Sequence, residues 1–162
     1  MIEKIGGKNN MLSYEGIFFE GDMVDLIHQL ETEKLVIVND EIHCTFKYHP
    51  ADDEVFNDIV GKAFEVYLVG YGNDGQNSGF EVLLPEELKD YYINYNVENP
   101  DILNVPHITA SLSVGAKASN TKNLNFMPLE KPVKLVGRFG YWIKKENEEY
   151  LSYEPYHKNK TI

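Results

Sequence analysis

The sequence predicts an α+β fold dominated by antiparallel sheet. Three observations lead there. Apolar and polar residues alternate over many strand-length stretches, the two-residue period of a half-buried strand. Stretches with the three-to-four-residue spacing of a helix are few and short. Turn signals such as Asn39-Asp40 and Gly72-Asn73-Asp74-Gly75 separate successive strand-like stretches, as in sheets assembled from neighbouring antiparallel strands.

The elements follow in order. Tyr14 to Phe19 reads as a strand. Gly21 and Asp22 open a helix, with Asp22 as its N-cap and Met23, Leu26, Ile27 and Leu30 on one face. Leu35 to Val38 and Ile42 to Tyr48 are rich in strand formers and split by Asn39-Asp40. Pro50 starts a short polar helix through Ile59. Lys62 to Tyr71 is a strand, closed by the Gly72–Gly75 turn, and Phe80 to Leu84 is the next. Pro85-Glu86-Glu87 begins a second helix, since a first-turn proline gives up no needed N–H. Val105 to Val114 alternates cleanly. Val133 to Lys144 and Tyr150 to Tyr153 complete a β-rich second half.

The 162 residues suit one domain, or two intimately packed lobes spanning 1–162, better than two independent domains. No internal repeat of fixed period and no low-complexity linker interrupts them. Fifteen basic against 26 acidic side chains leave a net charge of −11. Such a field repels polyanions, so a grip on long nucleic acid is not expected, while a local pocket can still take a small nucleotide. The charge is uneven: 117–145 holds seven basic residues and one acid, Glu130. That segment reads either as a solvated lysine-rich hairpin or as a positive rim beside a phosphate site. A single cysteine, Cys44, excludes an internal disulfide framework and a cysteine-rich zinc site. No apolar run reaches the length that spans a bilayer, and the N-terminus lacks a signal peptide's apolar stretch. A cytoplasmic protein is expected, without membrane partner or cofactor.

The chemistry-bearing feature is a pair of matching tetrads, His43-Cys44-Thr45-Phe46 and His107-Ile108-Thr109-Ala110. Each reads His, apolar or small, Thr, apolar, and each lies in a predicted strand. Residues two apart share a strand face. His43, Thr45 and Lys47 therefore point one way, and Cys44, Phe46 and Tyr48 the other, into a core. In the second strand His107, Thr109, Ser111 and Ser113 share the polar face. Two imidazole–hydroxyl pairs that meet across a groove suit phosphoryl transfer. One neutral histidine takes the proton of an attacking hydroxyl, and the other, protonated, supplies the leaving oxygen. The threonine hydroxyls hydrogen-bond the non-bridging phosphate oxygens. No His-x-x-x-His, His-Glu-x-x-His or cysteine pair supports metal ligation by His43, His49 and His107. Cys44, facing the core, is not expected to act as a nucleophile.

Paired His-x-Thr motifs in strands, in a chain of this length, resemble the 2H phosphoesterase superfamily. Its members include LigT-type RNA 2′,3′-cyclic phosphodiesterases, the cyclic phosphodiesterase domains of tRNA ligases, and phage anti-CBASS enzymes that degrade cyclic oligonucleotide defence signals. The stretch Val114–Asn120 is similar to the tRNA-ligase type. Ala110 is smaller than the bulky aliphatic residue often found at its position. The resemblance implies a bilobal, pseudo-two-fold α+β fold with antiparallel sheets lining a central cleft. It also implies metal-independent catalysis, with His43 and His107 as acid and base and Thr45 and Thr109 on the phosphate.

The acidic charge and the compact chain favour a small substrate, a cyclic di- or trinucleotide signal ahead of an RNA 2′,3′-cyclic phosphate end. A non-catalytic nucleotide sponge is the alternative from another class. Candidate substrate-binding residues are Lys47, Tyr71, Asn73, Ser111, Lys117 and Trp142. Tyr48, Tyr71, Phe80, Tyr141 and Trp142 are stacking candidates, each with a competing place in the core. The Gly70–Gly79 loop reads first as a hairpin turn, and as a mobile lid in the sharper alternative. His28 and His157 receive no role.

Overall fold

A computed structural model describes residues 10–96 and 105–157. Its elements run β1 (Asn10–Phe18), α1 (Asp22–Leu30), β2 (Ile37–Val38), β3 (His43–Tyr48), β4 (Ala63–Asn73), β5 (Asn77–Leu83), α2 (Glu86–Asn96), β6 (His107–Leu112), β7 (Met127–Lys145) and β8 (Glu148–Ser152). The strands join antiparallel neighbours in the order β2-β6-β5-β4-β7-β1-β3, and β8 adds to β7. The fold class is α+β with antiparallel sheet.

The element order repeats although the sequence does not. β1-α1-β3-β4 is followed by β5-α2-β6-β7. In each half a helix lies between two strands that pair with each other, β1 with β3 and β5 with β6. The fourth strand of each half crosses over: β4 pairs with β5, β7 pairs with β1, and β4 and β7 form the seam. Each half thereby contributes an edge of the other. The sheet curls until β3 and β6 meet, where the Cys44 thiol takes a hydrogen bond from the His107 backbone.

The core fills the inside of that curve. Phe64, Val66 and Leu68 of β4 alternate inward, as do Leu135, Phe139, Tyr141 and Ile143 of β7. Ile17, Cys44, Phe46, Phe80, Ile108 and Ala110 complete it from the strands that carry or flank the tetrads. Phe46 meets the edges of Tyr92 on α2 and Phe139 on β7, at 5.3 and 5.4 Å. Helix α1 buries Ile27 completely, a contribution of roughly 2 kcal/mol for a side chain of that size.

Three local expectations change. Gly21, not Asp22, is the N-cap of α1, and no side chain caps the helix; Asp22 and Asp25 instead place negative charge on its first turn. The stretch from Pro50 to Ile59 forms only a 3₁₀ turn at Asp52–Glu54. Its proline and acids mark a start, but no helical apolar stripe continues it. The Gly72–Gly75 turn sits later, because β4 runs through Asn73. There the Asp74 carboxylate accepts the N–H groups of Gln76 and Asn77 at 2.9 and 2.7 Å, which also holds that carboxyl below its ordinary range. Among the described residues no helix is long and apolar enough to cross a membrane.

Candidate active site

The two tetrads occupy equivalent places in the two halves, and the equivalence extends residue by residue into the partner strand. Cys44 pairs with Ile17 and Thr45 with Gly16; Ile108 pairs with Phe80 and Thr109 with Gly79. Ahead of each histidine the same bond closes the ladder, Phe19 N–H to the Ile42 carbonyl at 3.0 Å and Val82 N–H to the Pro106 carbonyl at 2.8 Å. A glycine faces each threonine for a steric reason. A Cβ on Gly16 would lie 2.1 Å from the Cys44 carbonyl oxygen, and one on Gly79 would lie 2.3 Å from that of Ile108. No side chain fits at either place.

The register also breaks identically after each threonine. Gly16 opposes Thr45 but Glu15 opposes Lys47, so Phe46 is an extra residue in β3. Gly79 opposes Thr109 but Ser78 opposes Ser111, so Ala110 is an extra residue in β6. A one-residue bulge resets strand alternation. This overturns the extrapolated faces. Tyr48, expected in the core, is 54% exposed and packs on Tyr14, whose ring stacks on His43. Ser111, expected on the groove, is fully buried and donates its hydroxyl to the Glu31 carboxylate. Lys47 lies opposite Glu15, with its ammonium 3.8 Å from the Glu54 carboxylate.

Both histidines are held by the same bond. Nδ1 of His43 donates to the Glu41 carbonyl at 2.9 Å, and Nδ1 of His107 to the Val105 carbonyl at 2.8 Å, two residues back in each case. A carbonyl only accepts, so Nδ1 carries the proton and Nε2 is left as the basic nitrogen of the neutral ring. Burial pushes His43 down to about 4, with the nearby His107 adding to the shift. Burial also lowers His107, and Lys122 adds to that. Both rings are therefore neutral at pH 7.

The surroundings of the two pairs differ. Against His43 stands an aromatic wall, with the Tyr14 ring 4.7 Å away and stacked, and Phe18 at 5.4 Å. Trp142 extends it, near-parallel to Tyr14 and Phe18 at 6.0 and 6.4 Å, its indole N–H donating to Glu149. Burial and the charge of Glu41 push the Tyr14 hydroxyl well above its ordinary range. Beside His107 the neighbours are polar. The Thr109 hydroxyl lies 2.7 Å from that of Thr121, which also accepts the Asn77 amide at 3.0 Å. Thr121 and Lys122 lie in a 3₁₀ segment, Ala118–Asn123.

The structure thus brings His43, Thr45, His107, Thr109 and Trp142 to one region, around the meeting of β3 and β6. The other sequence candidates lie elsewhere or are engaged. Asn73 spends its amide on the Glu33 carbonyl and the Tyr71 hydroxyl, and its oxygen on Gly75 N–H. The Tyr71 hydroxyl meets Ser78 at 2.9 Å. Lys117 is exposed, and its carbonyl accepts from Asn77. Phe80 and Tyr141 are fully buried core residues. The Gly70–Gly79 stretch is the β4–β5 hairpin. Of the lysine-rich hairpin, Lys144 and Lys145 lie opposite Glu149 and Glu148, while Arg138 donates to the Gly61 carbonyl and covers the Tyr153 ring at 4.2 Å. Sequence reasoning missed Tyr14, Phe18 and Thr121, and singled out Lys122 only as one of the seven basic residues read either as a solvated hairpin or as a positive rim beside a phosphate site. Tyr14 and Phe18 carried a signal, since both lie on the strand that precedes the first tetrad's helix.

Cys44 is fully buried and burial pushes its thiol up to about 12, which leaves no thiolate at neutral pH. Among the described residues no three His, Cys, Asp or Glu side chains converge to hold a metal ion. Compared with models of known protein families the chain matches none, and a comparison with curated protein sequences likewise finds no match.

Proposed function

We propose that the chain is a phosphodiesterase of the 2H type, with the two His-x-Thr pairs cleaving a small ribonucleotide phosphodiester by acid–base chemistry. The observation that carries this reading is the duplication of one device. Two imidazoles share one tautomer, each with a threonine two residues on in the same backbone setting, on strands that meet. A structural histidine needs no duplicate; an acid and a base do. The pseudo-two-fold, two-lobed arrangement of that superfamily accounts for the crossed-over element order.

In the reaction one Nε2 removes the proton of a ribose 2′-hydroxyl, or of water, as the oxygen attacks phosphorus. The other histidine, protonated, gives its proton to the departing ribose oxygen. The threonine hydroxyls donate to the non-bridging oxygens as negative charge builds there. The neutral rings bear on the pH dependence. Turnover requires one ring to gain a proton, which the phosphate charge favours. Both free-protein values lie below 6.5, so the kcat/KM optimum is expected on the acid side of pH 6.5. A kcat/KM profile that peaks at pH 8 or above contradicts this.

The leading substrate is a cyclic oligonucleotide immune signal, as for phage anti-CBASS enzymes. The aromatic wall on the His43 side suits a base and Lys122 on the His107 side suits a phosphate, both on the scale of one or two nucleotides. The test is a panel in EDTA, resolved by chromatography and mass spectrometry. It contains cyclic di- and trinucleotides, linear 2′–5′ and 3′–5′ oligonucleotides, and an RNA with a 2′,3′-cyclic phosphate end. Cleavage of a cyclic oligonucleotide supports the proposal. Opening only of the RNA end moves the function to RNA processing, and a ligand bound but unchanged makes the protein a sponge. Activity lost in EDTA and restored by zinc overturns the metal-independent chemistry.

A further inference from the structure

Three side chains in a row end on the Thr109 hydroxyl. The row begins at buried Asn77. Its amide nitrogen lies 2.8 Å from the Lys117 carbonyl, which only accepts, so nitrogen and not oxygen points that way. The second hydrogen of the same NH₂ group goes to the Thr121 hydroxyl oxygen at 3.0 Å. Thr121 is fully buried, and its oxygen lies 2.7 Å from that of Thr109. By distance alone either hydroxyl can donate across that gap. The rest of the network decides which one does. Among the described residues the Thr121 hydroxyl has no other acceptor. Were Thr109 the donor, the Thr121 proton would be buried with nothing to bond, which costs more than a neutral hydrogen bond contributes. Thr109 has a second acceptor, the Ala118 carbonyl at 3.4 Å. Every proton is used only when Asn77 donates to Thr121, Thr121 to Thr109, and Thr109 onward.

The backbone makes room for this row. A Cβ on Gly79, the glycine that faces Thr109, would lie 2.6 Å from the Thr121 methyl carbon. The bare backbone at Gly79 is what admits Thr121. At Gly16 the nearest atoms are instead backbone atoms of Cys44 and Thr45. Asn77 belongs to β5, and Thr121 to the 3₁₀ segment that packs on both β5 and β6. The last bond of the row is its weak one, since 3.4 Å lies beyond the ordinary range for a hydroxyl donor. Thr109 is also the one of the three that keeps some exposure, at 9%. The proton that a ligand can claim is therefore the one that Thr109 spends on the Ala118 carbonyl. An anionic phosphate oxygen is the stronger acceptor. A hydroxyl that already accepts a hydrogen bond is also the stronger donor.

We infer that Thr121 is a positioning residue for Thr109: held by Asn77, it donates to the Thr109 oxygen and so leaves Thr109's one proton for a non-bridging oxygen of the bound phosphate. Without Thr121, the Thr109 hydroxyl is free to turn and must be oriented anew at each turnover. The role in catalysis rests on the phosphodiesterase reading; the direction of the hydrogen bonds does not.

The experiment reads the direction first, by NMR on the full wild-type chain, and turnover second. The hydroxyl proton of the 2.7 Å bond is expected downfield and slow to exchange, and it should correlate with the β proton of Thr121. A slowly exchanging proton on Thr109 instead, or none on Thr121, overturns the assigned direction. Turnover is then followed on whichever member of the cyclic and linear oligonucleotide panel the wild type cleaves. Thr121→Val keeps the shape and removes the hydroxyl. It should lower kcat about 10-fold with KM little changed, the worth of one aligned neutral hydrogen bond. Thr121→Ser keeps the hydroxyl and should restore kcat to within about twofold of wild type. Thr109→Val should cost more, about 10²-fold, as the loss of a donor to the developing charge. In the Thr109→Val background, Thr121→Val should slow turnover no further, because a residue that acts through Thr109 has nothing left to act on. A merely structural Thr121 predicts additive losses, and additive losses overturn the proposal, as does a Thr121→Ser chain as slow as Thr121→Val. A chain that cleaves no panel member while its hydroxyl protons behave as stated overturns the functional reading and leaves the hydrogen-bond direction standing.

Discussion

The two His-x-Thr pairs are one backbone device in two different environments. Register, facing glycine, bulge and histidine tautomer are shared. The walls are not shared: stacked rings and nearby Glu41 and Glu149 on the His43 side, hydroxyls, an amide and Lys122 on the His107 side. What is duplicated is the apparatus that fixes an Nε2 and a hydroxyl in space, which both proton transfers of the proposed reaction need. What differs is what the flanking parts of a substrate would touch. Equal chemistry and unequal recognition are then separable by mutation.

The largest expected effect tests the shared part. His43→Ala and His107→Ala should each lower kcat by about 10²–10⁴-fold with little change in affinity, since a lost acid and a lost base are comparably damaging. Single-turnover rates with binding measured in parallel check this. One variant active while its counterpart is dead means that the half-sites are not functional equivalents. Next in size is the steric test. Gly16→Ala and Gly79→Ala each drive a methyl into a strand carbonyl, which must move. Each should destabilise by roughly 2–3 kcal/mol, read as denaturation midpoints. Gly79→Ala also meets Thr121, at 2.6 Å, so it should be the worse of the two. Tolerance of either alanine breaks the equivalence.

Much of this comparison was legible in the sequence, and the boundary is instructive. The antiparallel α+β class followed from two-residue alternation, and both tetrads lie in strands with Cys44, Phe46, Ile108 and Ala110 inward. Lys47, Tyr48 and Ser111 were misplaced for one reason. Alternation was carried past Thr45 and Thr109, where each strand holds an extra residue. Nothing local announces those bulges; they exist relative to the partner strand, which is distant in the chain for Thr109. The repeated element order was invisible for a related cause. It is written in strand pairing, and only the eight tetrad residues and the facing glycines repeat. Lys122 and Thr121 reach the site through a 3₁₀ segment packed on β6, a placement no periodicity encodes.

Acid stability separates the two environments more finely. His43 falls to about 4 in the folded chain, against about 6.5 for an unhindered histidine in the unfolded one. The unfolded chain therefore takes up the proton first, and stability contributed by the neutral ring is present above pH 6.5 and lost as pH falls toward 4. The loss should be roughly 2 kcal/mol, allowing for the ring's partial access to solvent. Urea midpoints at pH 7, 5.5 and 4.5 read it against His43→Gln, which should flatten that share of the slope. The corresponding His107→Gln variant should flatten it less. Equal flattening by both variants means that the aromatic wall does not distinguish the two rings.

The smallest effect concerns recognition, and there the environments should diverge most clearly in kind. Trp142→Ala removes a ring from the His43 side without touching either imidazole's tether, and Lys122→Ala removes a charge from the His107 side. Each should raise KM by about tenfold or less, the range of one stacking or one charge contact. Stacking depends on the base and hardly on salt, whereas the lysine contact is screened. Across substrates that differ only in base, the Trp142→Ala penalty should therefore vary, and it should persist at 0.5 M salt. The Lys122→Ala penalty should be uniform across bases and shrink with salt. Penalties that respond alike to base and salt would mean that both walls recognise the same part of the substrate. In that case the asymmetry around the two histidines would tune their proton affinities rather than select a ligand.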